Sequence, residues 1–114
     1  MTAARRARGA EGEARAAAWY EAAGYRVLAR NWRCADGEID LVVSDGRCVV
    51  FCEVKSRASD AFGLPAEAVT RTKQIRLRRL AARWLQESGV RSRDLRFDVA
   101  AILGDELELI EDAF

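Results

Sequence analysis

Residues 48–55 read Cys-Val-Val-Phe-Cys-Glu-Val-Lys, apolar on both strand faces except for one acid and one base. Strand side chains alternate between two faces, so a run that is apolar at nearly every position needs cover above and below. A sheet with helices on both sides supplies that cover, and the rest of the chain contains the parts for one. Ile39-Asp40-Leu41-Val42-Val43 reads as a neighbouring strand, joined through the hairpin-turn signal Ser44-Asp45-Gly46-Arg47. Tyr25-Arg26-Val27-Leu28-Ala29 reads as a short strand leading into Asn31-Trp32-Arg33. Residues 10–23 are Ala-rich at helical spacing, with Gly24 placed for a helix C-cap. Gly63-Leu64-Pro65 breaks the chain, and Pro65 suits the start of a long helix over 66–88 that stops at Gly89. Strands at 95–103 and 106–110, turning at Gly104-Asp105, complete the set. The expected fold class is α/β, a mixed sheet of four to five strands flanked by helices in the order α-β-β-β-α-β-β. The strands on either side of the long helix should be parallel. At 114 residues, the chain is expected to form a single domain over 1–114.

Composition removes several kinds of chemistry. His is absent, which excludes imidazole triads and His-dependent zinc sites. Cys34, Cys48 and Cys52 lack CxxC spacing and read as free thiols, with Cys48 and Cys52 as small buried hydrophobes on one strand face. No secretory leader and no membrane-length apolar run is visible, so a cytoplasmic location is expected.

Charge is segregated beneath a net of +1. Residues 67–93 carry eight bases against two acids, whereas 94–114 carry one base against seven acids. Six bases and no acid lie between positions 71 and 83. Such density can follow a phosphate backbone by releasing condensed counterions, or it can be a solvated face answered by the acidic tail.

Two acids interrupt strands that otherwise look buried, Asp40 and Glu53. The hairpin brings them opposite one another, and Lys55 shares a strand face with Glu53. Paired carboxylates in a low-dielectric setting repel by several kcal/mol unless neutralised, and a divalent cation with hard-ligand preferences, Mg²⁺ or Mn²⁺, neutralises them well. Water acidified by the metal, with Lys55 to orient it and stabilise growing charge, suffices for phosphodiester hydrolysis without His. Ordinary cross-strand ion pairs on a half-solvated sheet are the competing account.

Glu13 falls on one helical face with Ala10, Ala14, Ala17 and Tyr20, where it is either catalytic or an acid favoured by the helix dipole. Lys73 falls on the stripe Val69, Leu77, Leu80, Trp84, on the core side or snorkelling from its edge. The chain has 17 Arg and only two Lys, Lys55 and Lys73, at these two anomalous positions. An ammonium at a crowded site cannot be exchanged for a planar guanidinium. Arg76, Arg79 and Arg83 share another helical face, flanked by Arg71 and Arg78, suited to backbone contacts without base reading. Trp19 and Trp84 are expected in the core, and Trp32 is the tryptophan best placed to touch nucleic acid.

These residues together resemble the PD-(D/E)xK nuclease superfamily: Gly37-Glu38-Ile39-Asp40, then thirteen positions to Glu53, then Val54 and Lys55. More closely, the chain resembles the YraN-like family of small bacterial proteins. The matching segments are Gly12-Glu13-Ala14, Gly24-Tyr25-Arg26-Val27-Leu28, Arg30-Asn31-Trp32-Arg33 and Phe51-Cys52-Glu53-Val54-Lys55-Ser56-Arg57. Further along, Phe62-Gly63, Pro65-Ala66-Glu67-Ala68-Val69, Lys73 and Arg96-Phe97-Asp98-Val99 also match. The resemblance implies a restriction-endonuclease-like core similar to that of archaeal Holliday-junction resolvases. It implies metal ligation by Asp40, Glu53, the Val54 carbonyl and Glu13, with catalysis by Asp40, Glu53, Lys55 and Glu13. Lys73, Arg71, Arg76, Arg79, Arg83 and Arg57 would hold nucleic acid. The expected activity is Mg²⁺- or Mn²⁺-dependent cleavage of structured or branched DNA, with a homodimer as the assembly that two symmetric cuts require. A catalytically silent nucleic-acid-binding module is the alternative, and an adaptor using the acidic tail a third reading.

Overall fold

A computed structural model describes residues 3–59 and 69–114. The elements are α1 (Ala3–Ala22), β1 (Arg26–Cys34), β2 (Gly37–Ser44), β3 (Cys48–Arg57), α2 (Arg71–Ser88), β4 (Asp94–Leu103) and β5 (Glu106–Ile110). Their order is the expected α-β-β-β-α-β-β, and the five strands form one mixed sheet in the spatial order β1-β2-β3-β4-β5. β3 and β4 run parallel from Cys48 opposite Asp94 to Arg57 opposite Leu103, and every other adjacent pair is antiparallel.

The apolar run at 48–55 is the central strand, and its alternation divides the core in two. Val49 and Phe51 face α2, where Leu77, Leu80, Ala81 and Trp84 bury them with Phe97. Phe51 meets Trp84 edge-on at 5.8 Å and stacks on Phe97 at 5.5 Å, both favourable ring geometries. Val50 and Cys52 face α1, where Ala16, Ala17 and Tyr20 pack on them with Leu41, Val43 and Ala100. Small residues let α1 lie close: a Cβ added at Gly12 would sit 3.1 Å from Ile102 Cδ1. Cys48 and Cys52 both belong to this α1-side layer, as the strand face implied.

Several boundaries move. α1 begins well before residue 10, because Ala and Arg are strong helix formers and Gly9 does not stop them. β1 continues past residue 29 through Asn31-Trp32-Arg33 because it pairs with β2 as far as Cys34 opposite Gly37. α2 starts at Arg71, where Thr70 is an extended N-cap whose hydroxyl accepts from the Lys73 N–H at 3.4 Å. Val69 is therefore buried ahead of the helix rather than on it. The expected break at Gly63-Leu64-Pro65, helix residues 66–68 and the matching segments at 62–63 and 65–68 lie outside the described residues.

Two side chains differ from expectation. Trp84 is buried, but Trp19 is 37% exposed, its ring edge-on to Tyr20 at 5.3 Å, because the α1 face that meets the sheet is filled by Ala16, Ala17 and Tyr20. Lys73 is exposed: it sits in the first turn of α2, before the stripe engages the sheet at Leu77. Among the described residues, no helix is long and apolar enough to cross a membrane.

Candidate metal centre and its basic flank

The ladder between β2 and β3 ends at Leu41 opposite Cys52. One step further, the same register would oppose Asp40 to Glu53, but the Val54 N–H instead donates to Asp40 Oδ2 at 2.8 Å. A side chain has replaced the backbone rung, and the strands fork there. The facing pattern of β2 slips at the same point. Ile39 belongs to the α2-side core and Leu41 to the α1-side core, so residues two apart face opposite ways. On β1, Asn31 holds φ at 49° between Arg30 opposite Leu41 and Trp32 opposite Ile39. Asn tolerates this left-handed region better than most residues, and the β1–β2 register continues unshifted across the Asn31–Asp40 step.

Acids gather at this step. Glu13 of α1, Glu38 and Asp40 each place one carboxylate oxygen within 4.8 Å of the other two. Burial, followed by the charge of Glu53, pushes the Asp40 carboxyl up to about 7; the Val54 N–H partly offsets this, and Glu13 and Glu38 add to it. Glu13 also titrates above its ordinary range, chiefly through burial, with a hydrogen bond from Asn31 opposing the shift. Glu53 lies outside the triangle of three and pairs with Lys55 at 3.3 Å, both side chains being mostly buried. Glu38 has an outer partner in Arg33 at 3.3 Å.

The two lysines meet. The positive charge of Lys55 is the main reason the Lys73 ammonium is held below its usual range. Lys73 lines a cavity of about 130 Å³ with Gly37, Glu38, Glu53, Arg76, Leu77 and Leu80, between the fork and α2. A second, larger hollow of about 510 Å³ is lined by Asp36, Thr72, Ile75, Arg76 and Arg79. Arg71, Arg57, Arg76 and Arg79 are exposed. Arg83 is already engaged, by Asp36 at 3.2 Å and Glu87 at 3.7 Å. Arg78 leaves the basic face to lie over the Phe97 ring at 4.6 Å. Trp32 is half-buried against the α2-side core.

The sequence-derived residues Glu13, Asp40, Glu53, Val54, Lys55 and Lys73 therefore come together around the fork between β2 and β3. Two participants were missed. Glu38 could have been found by its place two residues before Asp40, next to the turn. Asn31 left a weaker signal, a residue tolerant of positive φ inside a strand that also shifts register between Val27 and Ala29.

A second acid lies deep in the sheet. Asp98 is fully buried and accepts from Arg96 Nε and Nη2, each at 2.9 Å, from the Tyr20 hydroxyl at 2.6 Å and from the Asp112 N–H at 2.9 Å. Nothing about Asp98 is left unsatisfied, and its role is structural. Burial raises the Cys52 thiol to about 12, which removes it as a nucleophile.

The fold and this site define a mixed α/β domain with an acidic cluster at a strand fork, beside a basic helix. The chain belongs to the uncharacterised protein family UPF0102, whose family model matches residues 12–102. This is the YraN-like family the motifs pointed to. The chain is 60% identical over 95 residues to a UPF0102 protein of Beutenbergia cavernae, covering 83% of this chain and 80% of that one. It is 50% identical over 110 residues to a UPF0102 protein of Moorella thermoacetica, covering 96% and 92%. A UPF0102 protein of Syntrophus aciditrophicus is 49% identical over 107 residues, covering 90% and 84%.

Proposed function

We propose that this protein is a Mg²⁺- or Mn²⁺-dependent nuclease of the PD-(D/E)xK type, hydrolysing phosphodiester bonds in DNA in the cytoplasm, foremost in structured or branched DNA. The observation that carries this reading is the convergence of Glu13, Glu38 and Asp40 within 4.8 Å of one another, beside the Glu53–Lys55 pair. The donors suit such an ion, because carboxylate oxygens are hard ligands and Asp40 is held by the Val54 N–H on one oxygen, which leaves acceptor capacity toward Glu13 and Glu38. A strand residue sends its N–H and C=O to the same edge, so the Val54 carbonyl faces the gap in which its N–H meets Asp40. A divalent ion held there would neutralise the acids and make water acidic enough to react near neutral pH.

The remaining work falls to side chains of this chain. Glu53 anchors the Lys55 ammonium at 3.3 Å, so Lys55 is held next to the acids instead of wandering in solvent. From there it orients the attacking water and stabilises charge growing on a non-bridging phosphate oxygen. Lys73, Arg57, Arg71, Arg76 and Arg79 hold the flanking phosphates. Arg83, already paired, contributes least. Two symmetric cuts in a branched substrate would require a homodimer.

Asp40→Asn and Glu53→Gln, assayed with Mn²⁺ on junction, flap and linear DNA, should each lower cleavage by about 100-fold or more. If both variants retain the wild-type trace activity, the catalytic assignment is wrong. Salt-sensitive binding that persists in both variants and ignores divalent ions would instead identify a silent nucleic-acid-binding module.

A further inference from the structure

The groove beside the acid cluster has the chemistry of a nucleotide site rather than of a duplex track. Thr72, Ile75, Arg76 and Arg79 follow one another at helical spacing on α2, and Asp36 of the β1–β2 turn closes the far side. Its volume of about 510 Å³ lies within the ~300–1,000 Å³ span of small-ligand sites. Its one apolar lining residue is Ile75, one of three large hydrophobic side chains left exposed among the described residues. A single exposed Ile would mean little on its own, but this one lies between guanidinium groups. Arginines offer both phosphate pairing and a planar face on which a base can stack, which a lysine does not. Both lysines stand at the acid cluster, and the groove has only arginines.

Arg76 lines this groove and also the smaller cavity that holds Glu38, Glu53 and Lys73. A nucleotide seated against Ile75 would therefore have its phosphate at Arg76, one step from the acids. Asp36, paired with Arg83 at 3.2 Å, still offers acceptor capacity to an N–H group on the edge of a base. A base stacked inside continuous duplex cannot enter such a hollow. An unpaired one can.

We infer that this groove holds one unpaired nucleotide beside the scissile phosphate, so that the substrate is a single strand or a single-stranded flap rather than continuous duplex. This rests on the nuclease reading for the position of the cut, but the binding claim can be tested without cleavage. In EDTA, fluorescence anisotropy would compare labelled dT20, a blunt duplex of equal length, and that duplex carrying a single-stranded flap. The expected order is dT20 and flap about tenfold or more tighter than blunt duplex. Ile75→Ser should weaken dT20 about tenfold and leave the blunt duplex unchanged, whereas Ile75→Phe, which adds a stacking ring, should tighten dT20. Because Ile75 is exposed, these variants should fold, and circular dichroism would verify it. Equal affinity for dT20 and blunt duplex, or an Ile75→Ser effect of the same size on both, overturns the inference. Cleavage of duplex that depends on Asp40, combined with no preference for dT20, would sink the groove while leaving the nuclease reading intact. Single-strand preference without Asp40-dependent cleavage would do the reverse.

Discussion

Two aspartates interrupt the sheet, and their surroundings treat them in opposite ways. Asp98 is wrapped by an arginine fork, a tyrosine hydroxyl and a backbone N–H, so its charge is neutralised from within. Asp40 has one backbone N–H and three neighbouring carboxylates that raise its proton affinity. A buried charge that a protein satisfies serves the fold. One left beside other charges of its own sign is strained until something from outside arrives, and the type of residue alone does not say which case applies.

The contrast predicts substitutions of opposite sign. Asp98→Ala leaves the Arg96 guanidinium and the Tyr20 hydroxyl without their acceptor, and should cost about 3–5 kcal/mol in denaturant unfolding. A loss below 1 kcal/mol would place Asp98 with Asp40 as dispensable to the fold.

Asp40→Asn keeps an acceptor for the Val54 N–H and removes a repelled charge. It should stabilise the metal-free protein at pH 8, by on the order of 2 kcal/mol after allowance for solvent screening. The folded-state carboxyl titrates at about 7 against an ordinary 3.8, so the folded state binds the proton more tightly. The stability this contributes is complete below pH 3.8 and is lost as pH rises through 7. Metal-free wild type should therefore weaken from pH 4 to 8 more than Asp40→Asn does. Mn²⁺ affinity should run the other way, falling as protons compete below pH 7. Parallel stability profiles for the two proteins would erase the distinction between the two aspartates.

A smaller effect should come from Asn31→Gly. Glycine keeps the positive φ but removes the Asn31 side-chain amide, which counters the burial of the Glu13 carboxyl. Calorimetric titration with Mn²⁺ should show affinity reduced about tenfold, with the unfolding midpoint barely moved. An unchanged affinity would mean that Glu13 needs no help to stay in the cluster.

Much of this was legible beforehand, for identifiable reasons. The central strand, the hairpin turn at Asp45-Gly46 and the stripe through Leu77, Leu80 and Trp84 follow from hydrophobic periodicity, which burial enforces. The far half of β1 was not legible because it is an edge strand: Arg30, Asn31 and Arg33 are exposed, so nothing selects an apolar pattern there. Asp40 and Glu53 stood out as acids in greasy surroundings. Glu38 did not, being next to a turn where acids are ordinary. The partners of Asp98 include Tyr20, 78 positions away, a proximity that only the folded chain creates.

The fork frees β3 from β2 after Cys52, yet β3 stays laddered to β4 along its whole length, from Cys48 to Arg57. Sliding β3 by a single position would break all of those pairings at once and rotate Glu53 and Lys55 through the sheet to the opposite side. Cys52 or Val54, according to the direction of the slip, would then take the acid's place. The ten-rung seam with β4 thus acts as a proofreader for the site, because a chain that has misaligned the strand carrying Glu53 and Lys55 has also lost every native pairing along that seam.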